Sequence, residues 1–174
     1  ENKREYKLLM VGGGLGSSDP TNRATSASLD NLAATLGIKD HLLWTGYLDP
    51  PEVSAALLSA DIAVLPFADG ASFRRGSLLA VLEHGVPLVT TLPRTGIVNR
   101  GDWPLLVDGE HALLVTPGNA DMLTASIREL AQDSELRARL SRGSQEIARR
   151  FSWEQIAKQH SEMYAMLTSE RGPQ

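Results

Sequence analysis

The sequence predicts an α/β fold: a parallel sheet covered by helices on both faces. Short apolar runs alternate with segments of helical spacing along almost the whole chain, and several of the runs end in glycine-bearing turns. That alternation is how strands and helices build a buried parallel sheet. Ligands of such sheets gather at the carboxyl ends of the strands. Gly12–Gly16, Gly46-Tyr47, Arg74–Leu78 and Arg94–Asn99 all follow apolar runs, so a site is expected where they meet.

Tyr6–Val11 reads as a buried strand feeding the turn Gly12-Gly13-Gly14-Leu15-Gly16. A dinucleotide fingerprint needs Gly-x-Gly-x-x-Gly here. Counting from Gly12 the third glycine is Ser17, and from Gly14 it is Asp19, so the fingerprint fails. The turn is either a close approach of backbone to a ligand, with Gly13 as the candidate, or a tight strand-to-helix connection. Leu29, Leu32, Ala33 and Leu36 then carry helical spacing up to Gly37. Leu42–Thr45 reads as a strand. Asp49-Pro-Pro-Glu52 opens a helix, with Asp49 as cap, Pro50 at the first position and Glu52 reaching back.

Asp61–Phe67 and Val86–Thr91 are apolar strands, and the stretch between them organises the chain. Phe73–Pro87 reads as a turn, a helix of about two turns and a stop. Ser77 is expected to cap it, Gly85 suits the left-handed position after it, and Pro87 blocks continuation. The first amides of such a helix lack intrahelical partners and form an anion site. Gly76 and Glu83 are seven residues apart, hence on one face and roughly 10 Å apart. A phosphate at the helix start and a hydroxyl-rich ring near Glu83 fit that spacing, and a nucleotide would span it.

Residues 92–104 have weak periodicity and read as an irregular loop. Leu105–Val107 and Ala112–Thr116 are two short strands or one broken strand. Helices are expected from Pro117-Gly-Asn119 to about Ala131, from Asp133-Ser134, and from Ser152, paired with Gln155 as a capping box, to about Leu167. The last of these is amphipathic and is expected to pack rather than to attach to a membrane.

The totals bound the function. The chain has 174 residues, enough for one domain with a proper core, and a net charge of −4 that argues against a dedicated nucleic-acid surface. Glu1-Asn-Lys-Arg-Glu5 leads straight into a strand-like run, which is not the pattern of a signal peptide. No apolar run approaches the roughly 20 residues of a membrane span. Cysteine is absent and His41, His84, His111 and His160 are scattered, so no metal is expected.

From Tyr6 to about Leu167 the order of pieces resembles the C-terminal, donor-binding domain of GT-B-fold glycosyltransferases of the retaining, family 4-like group 1. Leu9–Gly14, Trp44–Leu48, Ala60–Pro66, Glu83–Val89, Asp108–Val115 and Phe151–Glu154 carry the resemblance. It implies a Rossmann-like domain over residues 1–174, with a frayed tail at 169–174 and without the family's first βα unit. In that family Glu-x7-Glu spans the central helix: the second acid holds the donor ribose, and amides after the first cradle the diphosphate. Glu83 matches the second acid and Gly76 the glycine after the first, while Arg75 stands in place of the first acid.

The resemblance implies a nucleoside-diphosphate-sugar ligand, bound without metal, by Arg74, Arg75, Gly76, Ser77, Leu78 and Glu83, with Tyr47 near the nucleobase. One or both arginines are expected to grip the phosphates, with Arg75 strengthening diphosphate binding at the positive helix end. The resemblance implies a reacting centre between two domains, with the acceptor held by an N-terminal Rossmann domain expected outside this stretch, so the nucleophile and base are not expected among these residues alone. The expected function is the donor half of a glycosyltransferase, cytoplasmic or peripheral at the membrane in the full-length protein, with no transfer by this chain alone. The alternative is a non-catalytic nucleotide-binding or regulatory module, with Arg75 marking lost chemistry.

Overall fold

The computed structural model describes residues 5–12, 20–93 and 105–169. Gly13–Gly16 and Arg94–Asn99, two of the four expected ligand loops in whole or large part, lie outside the described residues, as does the tail from residue 170. The chain divides into two compact units, Glu1–Ala56 and Leu57–Gln174.

In the first unit β1 (Leu8–Met10) pairs in parallel with β2 (Leu42–Trp44), Leu8 opposite Leu42 and Met10 opposite Trp44. Helix α1 (Pro20–Thr35) and a short 3-10 turn (Lys39–His41) lie between them in sequence. Just past the ladder the Gly12 N–H donates to the Thr45 hydroxyl at 3.1 Å. Helix α2 (Pro50–Ser59) starts as its sequence requires: the Asp49 N–H donates to the Glu52 carboxylate at 2.8 Å, the returning half of a capping box.

The second unit holds β3 (Ala63–Leu65), β4 (Leu88–Thr91) and β5 (Leu113–Val115), in that spatial order and all parallel. The strands are shorter than the apolar runs containing them. Pro66 and Pro87 have no N–H to offer a ladder, so β3 stops at Leu65 and β4 begins at Leu88. The Pro87 carbonyl still accepts the Ala63 N–H at 2.8 Å. Of the two runs expected within residues 105–116, only Leu113–Val115 forms a strand; Leu105–Val107 does not, and Asp108 makes an isolated parallel bridge with Ala112 across the turn that precedes β5.

Helices α3 (Gly76–His84), α4 (Ala120–Gln132), α5 (Ser134–Arg149) and α6 (Trp153–Ser169) complete the unit. Their starts are local chemistry. Asn119 accepts the Met122 N–H at 3.0 Å, Asp133 accepts the Leu136 N–H at 2.8 Å, and Ser152 accepts the Gln155 N–H at 3.3 Å.

All four residues of β4 are buried, as a central strand should be. Neighbouring side chains on a strand point to opposite faces. Leu88 packs with Leu78, Val81 and Leu82 of α3, whereas Val89 packs with Leu130 of α4 and Leu140 of α5. The sheet is therefore covered on both faces. Among the described residues no helix is long and apolar enough to cross a membrane.

Candidate functional site

The site is built where β3 ends. After Leu65 the chain leaves the sheet, turns, and enters α3 at Gly76. Two buried hydroxyls of β4 hold the departing strand: Thr90 donates to the Leu65 carbonyl at 2.7 Å and Thr91 to the Phe67 carbonyl at 2.9 Å. The Ala71 N–H returns to the Thr91 carbonyl at 3.3 Å. Replacing Thr91 by valine is expected to lower stability by about 1 kcal/mol, the scale of one lost hydrogen bond, with the Phe67 carbonyl keeping only the Gly70 N–H. A urea midpoint equal to that of the parent would show that this tie does not hold the loop.

From the sequence Ser77 is expected to cap α3. In the structure the cap is Arg75, two residues earlier, with extended backbone (φ −93°, ψ 115°) and no side-chain cap bond. The reason is the preceding turn. Ser72 takes the Arg75 N–H on its carbonyl at 3.0 Å and the Arg74 N–H on its hydroxyl at 3.3 Å, so the chain is already wound when it reaches Arg75. Arginine has no side-chain acceptor with which to cap. The Arg75 carbonyl accepts the N–H groups of Leu78 and Leu79 at 3.1 and 3.2 Å. Among the described residues the N–H groups of Gly76 and Ser77 have no acceptor, and both residues are exposed. A helix start in that condition carries partial positive charge toward solvent.

Glu83 lies in the last turn of α3, seven residues after Gly76, and is exposed. Among the described residues it has no hydrogen-bond or ion-pair partner. A carboxylate at the negative end of a helix opposes the dipole, and no contact among the described residues offsets that placement. Leu78, Val81 and Leu82 face the core, so Gly76 and Glu83 share the opposite face. Beside Glu83, His84 Nδ1 lies 2.7 Å from the Ala80 carbonyl and caps the helix locally. Gly85 ends the helix in the left-handed region (φ 66°), as its position predicts.

The two arginines part company. Arg74 is exposed. Arg75 is half-buried and turned into the chain: its Nη2 pairs with the Asp69 carboxylate, and its guanidinium lies 4.3 Å from the centre of the Phe67 ring. Its Nε is sealed from solvent and has no hydrogen-bond partner. Next to it Phe73 stacks on Phe151, at the α5–α6 turn, with ring centres 4.4 Å apart.

Of the residues marked in the sequence, Arg74 through Leu78 and Glu83 thus stand together on α3 and its approach. Leu78 itself is fully buried with its amide engaged. Tyr47 belongs to the first unit and is 81% exposed. Gly13 lies outside the described residues. Asp69, Phe67 and the Thr90-Thr91 pair are not marked by sequence pattern. The available signal was a lone acid in the loop ahead of a double arginine. Among the described residues no group of three or more His, Asp or Glu side chains is placed to hold a metal ion.

A parallel α/β unit whose helix opens from a strand end onto unengaged amides has the architecture of Rossmann-like nucleotide-binding folds. The chain belongs to the group 1 glycosyl transferases, whose family model matches residues 1–133. It is 29% identical over 171 residues to a D-inositol 3-phosphate glycosyltransferase of Corynebacterium efficiens, covering 96% of this chain and 36% of that one. It is 34% identical over 139 residues to an MMP alpha-(1->4)-mannosyltransferase of Mycolicibacterium hassiacum, covering 78% of this chain and 31% of that one. The chain spans about a third of the length of these curated relatives. Among solved structures, Anabaena Alr3699/HepE in complex with UDP shares the fold with a TM-score of 0.76 at 20% identity, over 92% of this chain and 41% of that one.

Proposed function

We propose that this chain is the donor-binding half of a glycosyltransferase that moves a sugar from a nucleoside diphosphate to an acceptor. The observation that carries the reading is the exposed face of α3: two unengaged amides at Gly76 and Ser77, and an unpaired carboxylate at Glu83 two turns on. The diphosphate lies on the amides, with the exposed Arg74 adding charge. As the bond to the sugar breaks, negative charge grows on the leaving phosphate, and donors already aimed at it stabilise that change without reorganising. Glu83 accepts hydrogen bonds from the ribose hydroxyls and orients the donor. Support comes from family membership and from the UDP held by the Anabaena neighbour. The part of the relatives that this chain does not span is where, in this reading, an N-terminal domain holds the acceptor. Cytoplasmic placement of the whole protein belongs to the same proposal.

Calorimetric titration with UDP and GDP tests it. At least one is expected to bind, and Glu83→Ala is expected to weaken that binding about tenfold or more, since hydrogen bonds to a charged group are lost. Stability without ligand should stay within about 0.5 kcal/mol of the parent, as for other exposed positions. Equal affinity in parent and variant rejects the ribose role, and failure of both nucleotides to bind rejects the reading. A nucleotide sugar binding no differently from its diphosphate would favour the non-catalytic module.

A further inference from the structure

Among the described residues Arg75, at the α3 start, has its charge paired and its guanidinium packed on a ring. Its plane rests on Phe67, its Nη2 meets Asp69, and its Nε is sealed inside without a partner. Those contacts join the two ends of one loop. Phe67 stands just after β3, Asp69 two residues on, and Arg75 at the helix cap. Within the loop the Gly70 N–H closes on the Phe67 carbonyl at 3.2 Å, Ala71 is tied to Thr91, and Arg75 to Ser72. We propose that Phe67, Asp69 and Arg75 form a clamp that closes this loop, so that Arg75 is a positioning residue which presents the Gly76 and Ser77 amides and does not itself hold the diphosphate. The proposal rests on the donor-site reading above and goes beyond it by assigning a role to Asp69 and Phe67.

The physical distinction is one of charge and shape. A guanidinium neutralised by a carboxylate in the same loop adds little to the field met by an anion. A flat guanidinium can lie on an aromatic ring while its edge binds an acid, and a lysine ammonium cannot do both. An arginine that gripped phosphate would be hindered by Asp69, so removing that acid would tighten binding. A clamp predicts the reverse.

UDP titrations at several sodium chloride concentrations separate the two. Asp69→Asn and Arg75→Ala are each expected to raise the Kd for UDP about fivefold, the scale of a single exposed ion pair, and the double variant should be no weaker than either. Arg75→Lys, which keeps the charge, should not restore binding. The salt dependence of UDP affinity should be unchanged in the Asp69→Asn/Arg75→Ala double variant, which removes the neutral pair whole, and shallower in Arg74→Ala. Tighter binding by Asp69→Asn, a shallower salt dependence in the double variant, or parent-like affinity in both single variants would overturn the proposal. Amide hydrogen exchange without nucleotide judges the clamp separately from the donor-site reading. Protection at Gly70, Ala71 and Arg75 should fall in both single variants, and unchanged protection sinks the clamp. Failure of the parent to bind UDP or GDP sinks the donor-site reading and, with it, the positioning role, while the exchange result still decides whether the loop is clamped.

Discussion

Leu78→Ala is expected to lower the unfolding free energy by about 2–5 kcal/mol, the range for emptying a fully buried leucine site. Leu78 is completely buried and packs with Val81, Leu82 and Leu88 between α3 and the sheet. Alanine is a slightly better helix former, but that gain is a few tenths of a kcal/mol at an ordinary position and is overwhelmed by the lost transfer and cavity terms. The site should suffer as well. Leu78 sits in the first turn of α3, directly after the two unengaged amides, and its own N–H is held by the Arg75 carbonyl. The urea midpoint should fall at unchanged denaturant slope, and UDP affinity should fall with it. A loss below about 1 kcal/mol would mean that the core beneath α3 collapses to fill the space.

Gly143→Ala is expected to destabilise by about 2 kcal/mol or more, although alanine gains up to about 1 kcal/mol over glycine in a helix interior. Gly143 lies inside α5, where a Cβ atom would stand 2.1 Å from the Glu110 carbonyl oxygen and 3.0 Å from its carbon. That neighbour is backbone, and its turn is braced. Arg139 Nε donates to the Gly109 carbonyl at 3.0 Å, the Leu114 N–H donates to Asp108 at 2.8 Å, and the Val107 N–H donates to His111 Nδ1 at 2.9 Å. The turn cannot retreat by about 1 Å, which a normal carbon–oxygen contact requires, without breaking some of these bonds. Thermal and urea unfolding measure the outcome. A variant as stable as the parent would show that α5 shifts off the turn without cost.

The contrast between helix starts shows why some features were legible. Asn119, Asp133, Ser152 and the Asp49–Glu52 pair each act on residues three positions away, so the signal lies in one short stretch of sequence. The start of α3 is different. It is set by a turn closed on Ser72 and by threonines of β4 that follow the loop by some twenty residues. Ser77 carries the right side chain for a cap and stands two residues too late. The strand ends were similarly hidden: Pro66 and Pro87 were visible, but their effect depends on which ladder needs the missing N–H.

The sequence alone determined the fold class, the resemblance to group 1 glycosyltransferases, and a short helix between two strands with an acid seven residues beyond its first glycine. These rest on order, periodicity and local capping, which act over a few residues. Only the tertiary structure decided which amides of that helix are left unengaged and that Arg75 turns away into Phe67 and Asp69. Both outcomes depend on β3 pairing with β4, since the hydroxyls that tie down the loop and the ring beneath the guanidinium reach their places only once those strands lie side by side.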